Sequence, residues 1–303
     1  MFELIKTGTQ FDFMSKTKIF FVISGLVFIL SLGIVFTKGF NFGIDFAGGT
    51  IIQMQFSSAP DVDKIRSAMD SLDIGEVVIQ NFGAPEEILI RVEKTERDLN
   101  EVANTIKESM GNTFPDNEFI VERVEQVGPQ VGADLKSKAT YAVLYSLIGV
   151  LIYVAFRFQL IFAVGAVLAI SHDVVITLGI FSIAGKEITL TIIAALLTIV
   201  GYSLNDTIVV FDRIRENMQE DKTDMDLKKL INKSLNETLS RTVLTSLTTL
   251  LAVGSLYLFG GEVINGFAFA LLMGIVVGTY SSIGIASAFV YVLTKKKREA
   301  KAA

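Results

Sequence analysis

Four ionisable residues lie inside or at the edge of long apolar runs, and they are the residues best suited to chemistry. They are His172, Asp173, Asp206 and Arg241. An ionised side chain at the centre of a bilayer costs about 2.5–3.5 kcal/mol on insertion scales, so membrane proteins keep one there mainly for a function. Ion movement through the membrane is therefore the leading hypothesis, and a histidine, which titrates near neutral pH, could relay protons.

Polar residues recur on the same helical faces as these charges. In the segment that contains Asp206, threonines precede Asn205 at intervals of seven residues. Thr245 follows Arg241 by one helical turn. A helix presents residues at these spacings on one side, so both stripes are expected to face protein or water. Asn205 and Thr245 therefore join the four ionisable residues in a predicted proton pathway.

Each of these residues also has a structural interpretation. Asp206 lies about 10 Å from the middle of its predicted helix and could instead cap that helix at the cytoplasmic water. Arg241 could be a basic residue that snorkels to the membrane surface. His172 and Asp173 are about 100° apart around a helix axis, so they are not expected to point into the same narrow pore. For this pair, a proton relay and a structural anchor both stay open.

Composition and motifs exclude several classes of function. The chain has no cysteine and a single histidine, so no disulfide and no conventional zinc site is expected. The sequence contains no nucleotide-binding or hydrolase motif, and we predict no enzyme, no catalytic residue, no metal and no cofactor. The energy source that remains is the transmembrane potential, worth about 2.3 kcal/mol per elementary charge per 100 mV.

The apolar runs identify an integral membrane protein. Hydrophobic residues make up 51% of the 303 residues, and the mean hydropathy is +0.53. A bilayer core about 30 Å thick requires about 20 apolar helical residues. Six segments meet this requirement, at 18–37, 138–158, 160–184, 188–211, 240–259 and 264–293. We therefore predict a polytopic α-helical membrane protein with six transmembrane helices.

Basic residues in the short flanks and loops determine the predicted orientation. Lysine and arginine concentrate in the segment 1–17, the loop 212–239 and the tail 294–303, which are all placed in the cytoplasm. The first helix, 18–37, is long for a secretory signal and no cleavage pattern follows it, so we expect it to be retained. Five further helices occupy 138–293, and both termini are expected to be cytoplasmic.

Residues 38–137 form the long polar segment of the chain, with 18 acidic residues that outnumber the basic ones. Alternating and helical apolar periods predict four strands and two helices in the order βαββαβ. This order is typical of a ferredoxin-like α+β domain. With both termini cytoplasmic, the domain is expected to be extracytoplasmic. Its pattern alone indicates no more than a docking surface.

Glycines mark two further features. Asp45, Gly48 and Gly49 follow the first helix in the motif GIDFAGG, and we interpret them as a structural hinge between membrane and domain. In the last apolar run, small residues recur at every fourth position and include Gly274 and Gly278. Such a ridge predicts close packing against another helix, from this chain or from a partner.

Five motifs, taken together, resemble the SecF members of the SecD/SecF family. They are FNFGIDFAGGT at 40–50, VGPQVGADL at 127–135, SHD in the third predicted helix, GYSLNDTIVVFDRIREN at 201–217 and RTVLTSLTTLL at 241–251. The resemblance covers nearly the whole chain in order, and the fourth-helix motif is specific.

This resemblance implies a subunit of the bacterial Sec export machinery in the plasma membrane. Such proteins belong to the resistance-nodulation-division (RND) superfamily, pair with a SecD-like subunit and couple proton flow to translocation. The implied partners are SecD, the Sec translocon channel, translocating polypeptides and membrane lipids, but no nucleic acid. Family residues implicated in proton conduction match Asp206 and Arg241. The alternative is half of an RND-like proton-coupled transporter for a small molecule or lipid.

Overall fold

A computed structural model describes residues 9–72, 74–75, 77–92, 99–221 and 225–302. The chain divides into two compact units. We call one the helical unit; it comprises the described residues of Met1–Asn41, Ala142–Lys186 and Thr191–Ala303. The other, the sheet unit, comprises the described residues of Phe42–Tyr141 and Glu187–Leu190.

Helices and strands are interspersed along the first half of the chain, and the second half is mostly helical. In chain order they are α1 (Thr17–Lys38), β1 (Asn41–Phe42), α2 (Ile44–Ala47), β2 (Gly49–Phe56), α3 (Val62–Asp70), β3 (Val77–Phe82), β4 (Ala84–Val92), α4 (Leu99–Thr113), β5 (Phe119–Val127), α5 (Pro129–Arg157), α6 (Leu160–Ala184), β6 (Glu187–Ile188), α7 (Leu190–Glu220), α8 (Leu227–Phe259), α9 (Glu262–Ser281) and α10 (Ala288–Ala302).

In the described part of the chain, six helical segments are long and apolar enough to cross a membrane, as the run lengths predicted. They are α1, α5, α6, α7, α8 and the continuous segment formed by α9 and α10. A helix satisfies its backbone hydrogen bonds internally, which is the requirement for a segment in contact with lipid. The chain is therefore a multi-pass helical membrane protein.

The predicted loop 212–239 is helical over most of its length. α7 continues to Glu220 and α8 begins at Leu227, while 222–224 lie outside the described residues. Apolar side chains from both helices are buried in one hydrophobic cluster, and this packing stabilises the helices beyond the predicted spans. The cluster includes Val210, Phe211, Ile214, Leu227, Leu230, Ile231 and Leu235.

The last membrane segment changes its hydrogen-bonding pattern midway. α9 ends at Ser281, a π-helical segment occupies Ser282–Ser287, and α10 continues through the predicted basic tail to Ala302. The Ser287 hydroxyl donates to the carbonyl of Ser282 at 2.7 Å. π-helical segments occur frequently at functional sites, and this one begins directly after Ser281.

The sheet unit contains a four-stranded antiparallel sheet in the order β3-β4-β2-β5. Its elements follow the predicted order β2, α3, β3, β4, α4, β5. Alternate residues of a strand point to one face, and those of β2 and β4 pack with the apolar sides of both helices. This core consists of Ile52, Met54, Phe56, Ile65, Met69, Ile74, Ile88, Ile90, Val92, Val102, Ile106 and Met110.

Residues 187–190 pack with the sheet unit, although they connect α6 to α7 in sequence. The predicted domain 38–137 does not include them. The spacing of apolar residues in a segment indicates which side of that segment is buried. It does not indicate that a short connection distant in sequence packs against the same domain.

Candidate functional site

Asp206 lies in the interior of the helical unit and is only 3% exposed. Ser246 of α8 donates a hydrogen bond to Asp206 Oδ2 at 3.3 Å. The Ser246 hydroxyl also lies 2.7 Å from that of Thr279 on α9. Because α7 continues to Glu220, Asp206 does not cap the helix, and the structural interpretation as a cap is wrong.

Arg241 lies near Asp206 but forms no salt bridge with it. Arg241 is exposed at the surface of this chain, and its guanidinium acts electrostatically on the Asp206 carboxylate from beyond salt-bridge distance. Thr245 donates to the carbonyl of Arg241 at 2.8 Å. An ion pair between the two charges would therefore require the Arg241 side chain to rearrange.

His172 and Asp173 contact each other in spite of their separation around α6. Nδ1 of His172 lies 3.1 Å from Oδ1 of Asp173. Asp173 has no exposed surface, and His172 is 6% exposed. Adjacent positions on a helix were expected to direct the two groups apart, but rotation of the side chains brings them together.

Two serines from other helices complete the environment of Asp173. Ser203 of α7 and Ser281 of α9 each donate to Asp173 Oδ2 at 2.7 Å. The carboxylate therefore joins three helices. Sequence reasoning missed both serines; the available signal was the position of Ser203, three residues before Asp206 in the fourth-helix motif.

The His172 ring lies beside two aromatic side chains, and its second nitrogen is unpaired among the described residues. His172 Nε2 is buried and has no hydrogen-bond partner among the described residues. The ring centroid lies 6.4 Å from those of Phe28 and Tyr280. A buried nitrogen with unused hydrogen-bonding capacity is a place where a proton or a water molecule can be exchanged. The part of the chain that is described holds no group of three or more potential metal ligands.

The polar stripe of α7 is divided between the interior and the surface. Asp206 and Ser203 are buried, whereas Thr198 and Asn205 are exposed on this chain. Asn205 is therefore separate from the buried carboxylates, although it precedes Asp206 directly. An exposed polar stripe on a membrane helix requires contact with water or with another protein.

The small-residue ridge of α9 packs inside this chain. A Cβ added to Gly274 would clash with the Ile199 side chain of α7, and one added to Gly278 would lie 3.2 Å from the Cβ of Ser203. α7 is therefore the helix against which these two glycines pack. The Cβ added to Gly278 would also lie 3.4 Å from Oδ2 of Asp173, so the glycine leaves space for this carboxylate.

Asp45, Gly48 and Gly49 lie in the sheet unit. Asp45 belongs to the short helix α2, and the two glycines have φ angles of 76° and 132°, which favour glycine. A Cβ added to Gly48 would lie 2.9 Å from the Cα of Pro129, the first residue of α5. The two glycines thus form a closely packed turn.

Comparison with known families gives two matches. Residues 105–296 match the family described as "Protein export membrane protein SecD/SecF, C-terminal". Residues 33–60 match the "SecD/SecF GG Motif", a range that includes Asp45, Gly48 and Gly49. The first match contains Asp173, Asp206 and the residues that surround them.

Similar proteins extend over nearly the whole chain. Protein translocase subunit SecF of Calditerrivibrio nitroreducens is 57% identical, covering 98% of each chain. The SecF of Magnetococcus marinus is 48% identical over 99% of this chain and 97% of its own length. Among solved structures, Thermus thermophilus SecDF, described as a translocon-associated membrane protein, is 39% identical with a TM-score of 0.84. This match covers 96% of the chain but 40% of the SecDF chain, so the present chain spans about two fifths of that protein.

Proposed function

The chain belongs to the SecF family of protein-translocase subunits, and from this premise we propose that it is an accessory subunit of the bacterial Sec protein-export machinery. The relatives are named as translocase subunits, which supports export over the alternative of a small-molecule or lipid transporter. Its proposed partners are a SecD-like subunit, the Sec translocon channel and translocating polypeptides.

The proposed location is the plasma membrane, with both termini in the cytoplasm. The distribution of basic residues supports this orientation, which places the sheet unit on the outer side. We further propose that the sheet unit is a ferredoxin-like domain. The order β3-β4-β2-β5, with two helices packed on one face, supports that assignment.

The proposed energy source is proton flow, and one observation carries it: Asp206 is a buried carboxylate within a membrane-spanning helix. An ionised carboxylate without a charged partner is costly there, so membrane proteins keep one mainly for a function. Among the described residues, Asp206 accepts a hydrogen bond from a serine hydroxyl at 3.3 Å, and Arg241 is near but forms no salt bridge with it. A carboxylate held by so few contacts is suited to changing partners.

The proposed mechanism is an exchange of partners at Asp206. When the Arg241 guanidinium approaches, it favours the charged carboxylate, and when it withdraws inside the membrane, the carboxylate binds a proton. Directional transport follows if the two arrangements open to opposite sides of the membrane. His172 and Asp173 extend the proposed pathway, with the unpartnered Nε2 of His172 as a point of proton transfer.

A SecD-like subunit is proposed to cover the exposed polar side of α7 and α8. Asn205 and Arg241 lie on the surface of this chain, where lipid offers their side chains no hydrogen-bond partner. The chain also corresponds to about two fifths of SecDF. A second membrane protein on this side would enclose the proton pathway.

Replacement of Asp206 by Asn tests the role in proton-driven export. The amide preserves size and polarity but cannot cycle between charged and neutral forms, so Asp206→Asn should abolish the export stimulated by a proton gradient. Export is measured in vesicles that contain the translocon, a SecD-like subunit and this chain. The matched control is Asp212→Asn in the same helix, since Asp212 is partly exposed and pairs with Arg157; it should retain stimulation. Full proton-driven stimulation in Asp206→Asn, at normal protein levels, would make Asp206 a structural residue.

A further inference from the structure

The Asp45 carboxylate contacts the first residue of a membrane helix far away in sequence. Asp45 Oδ2 accepts a hydrogen bond from the backbone N–H of Leu190 at 2.8 Å. Leu190 is the first residue of α7, so its N–H has no acceptor within the helix. A carboxylate at this position both accepts the hydrogen bond and interacts favourably with the positive end of the helix dipole.

Two further contacts hold the same connection within the sheet unit. The N–H of Gly43 donates to the carbonyl of Ile188 at 2.9 Å. Arg91, on β4, is 5% exposed, and its Nη1 lies 2.7 Å from Oε1 of Glu187. Arg91 is buried whereas the Glu187 side chain is 27% exposed, so the ion pair is partly shielded from water and holds Glu187 against β4.

The packing around α2 leaves little room for adjustment. A Cβ added to Gly43 would lie 2.8 Å from Cγ2 of Thr189, and one added to Gly132 on α5 would lie 3.0 Å from the carbonyl oxygen of Phe46. α2 is therefore packed closely against the connection to α7 and against the first turns of α5. Contacts this close transmit displacement, because packed interiors are not continuously deformable.

α7 connects this contact to the candidate proton site. Leu190, its first residue, belongs to the sheet unit, and the helix then runs without interruption through Asp206. Positions 190 and 206 are 16 residues apart in one helix, which corresponds to about 24 Å along the helix axis. A change in position or rotation at Leu190 would therefore reach the Asp206 carboxylate and its contact with Ser246.

We infer that Asp45, Gly43, Arg91 and Glu187 form a clamp by which the sheet unit holds the start of α7, and that this clamp couples the sheet unit to Asp206. This inference rests on the proposed function of Asp206. Asp45 is a positioning residue in it, since it acts on the proton site through α7. The hinge between membrane and domain stays a prediction for Asp45, and the clamp adds a contact of this residue with a different helix.

Hydrogen–deuterium exchange of the full chain in its membrane complex tests the clamp itself. Asp45→Ala removes the acceptor, so exchange at the amides around Leu190 should rise about three- to tenfold, the effect of losing a helix cap. Asp45→Asn keeps an oxygen acceptor and should restore most of the protection. The matched control is Asp61→Ala, because Asp61 accepts from the N–H groups of Asp63 and Lys64 at the start of α3. It should accelerate exchange there and leave α7 unchanged.

Proton flux and export, measured together in vesicles, test the coupling. Asp45→Ala should lose the proton flux that a translocating polypeptide stimulates, while the basal proton flux continues. Asp45→Asn should recover most of the polypeptide-stimulated flux.

Unchanged hydrogen–deuterium exchange at Leu190 in Asp45→Ala would overturn the clamp. Faster amide exchange at Leu190 together with fully stimulated proton flux in Asp45→Ala would show that Asp45 only caps α7, and it would overturn the coupling. A wild-type complex without proton-driven export would reject the proposed function and the coupling together, and the exchange result would still report on the clamp.

Discussion

The two buried aspartates differ in how firmly they are held. Asp173 accepts two hydroxyl hydrogen bonds at 2.7 Å and also contacts the His172 ring. Asp206 accepts from Ser246 at 3.3 Å. Short charge-assisted hydrogen bonds are stronger than longer ones. The Asp173 contacts join three helices, and we expect Asp206, with its longer hydrogen bond, to be the carboxylate that changes partners more readily.

Removal of the serine donors should destabilise the helical unit. In the double variant Ser203→Ala and Ser281→Ala, the buried Asp173 loses both hydroxyl partners, and we expect a loss of about 1–3 kcal/mol in stability. Thermal unfolding of the purified protein in detergent, followed by circular dichroism, measures this loss. Ser255→Ala is the control, since the Ser255 hydroxyl donates only to an exposed helix carbonyl. Equal unfolding temperatures for both proteins would contradict the structural role of the two serines.

Close packing between α7 and α9 leads to a prediction at the scale of elements. Gly274→Ala places a Cβ in the space of the Ile199 side chain, and overpacking of this kind should cost about 1–3 kcal/mol. Gly254→Ala in α8 meets no atom within 4 Å, so stability should be unchanged or slightly higher because alanine favours helix. Thermal unfolding compares the two variants. If Gly274→Ala were as stable as Gly254→Ala, α7 and α9 would be able to move apart without loss of stability, and the predicted overpacking would be wrong.

The segment before α1 docks on the start of α8. Asn232 Oδ1 accepts from the N–H groups of Phe13 and Met14, and its Nδ2 donates to Asp12 Oδ1 at 2.7 Å. Lys228 Nζ lies 3.0 Å from Asp12 Oδ2. Side chains spaced one helical turn apart on α8 therefore bind both the backbone and the carboxylate of this segment.

This docking should depend on pH. The hydrogen bond from Lys228, helped by those from Asn232 and Ser15, lowers the pKa of Asp12 from 3.8 to about 2. Because the pKa of Asp12 is lower in the docked state, the ionised carboxylate stabilises docking at pH values above 3.8. This contribution is lost as the pH falls from 3.8 towards about 2. Since the chain has no cysteine, a spin label at Gln10→Cys reports mobility selectively.

The label should become mobile over this acidic range in the otherwise wild-type chain. With Asp12→Asn, it should already be more mobile at neutral pH and change little on acidification. A label whose mobility is the same at all pH values in both proteins would contradict an electrostatic contribution to docking.

The exposed polar side of α7 predicts an interface between this protein and a partner subunit. Asn205→Trp should obstruct the proposed contact, so less SecD-like subunit should co-purify with the chain. Ile29→Trp is the control, because Ile29 is 69% exposed on the apolar helix α1 and suits contact with lipid. Equal co-purification of the partner with Asn205→Trp and Ile29→Trp would place the interface elsewhere.

The amino-acid sequence was sufficient to predict six membrane segments and to identify the buried carboxylates. Run length predicts six spanning segments because the bilayer sets a minimum number of apolar residues. Alternating periods predict the strands of the sheet unit, since successive strand residues point to opposite faces. Charged residues within apolar runs identify Asp173 and Asp206 because burial of charge is costly.

Which side chains contact each other became visible in the folded chain alone. Ser203, Ser246 and Ser281 gave no periodic signal, since a serine is tolerated on either face of a membrane helix and its partner lies on another helix. Arg241 turned out to be exposed and unpaired with Asp206. The contact of Asp45 with Leu190 spans 145 positions in sequence. Periodicity describes how one element is buried, whereas hydrogen-bond partners depend on how distant elements pack together.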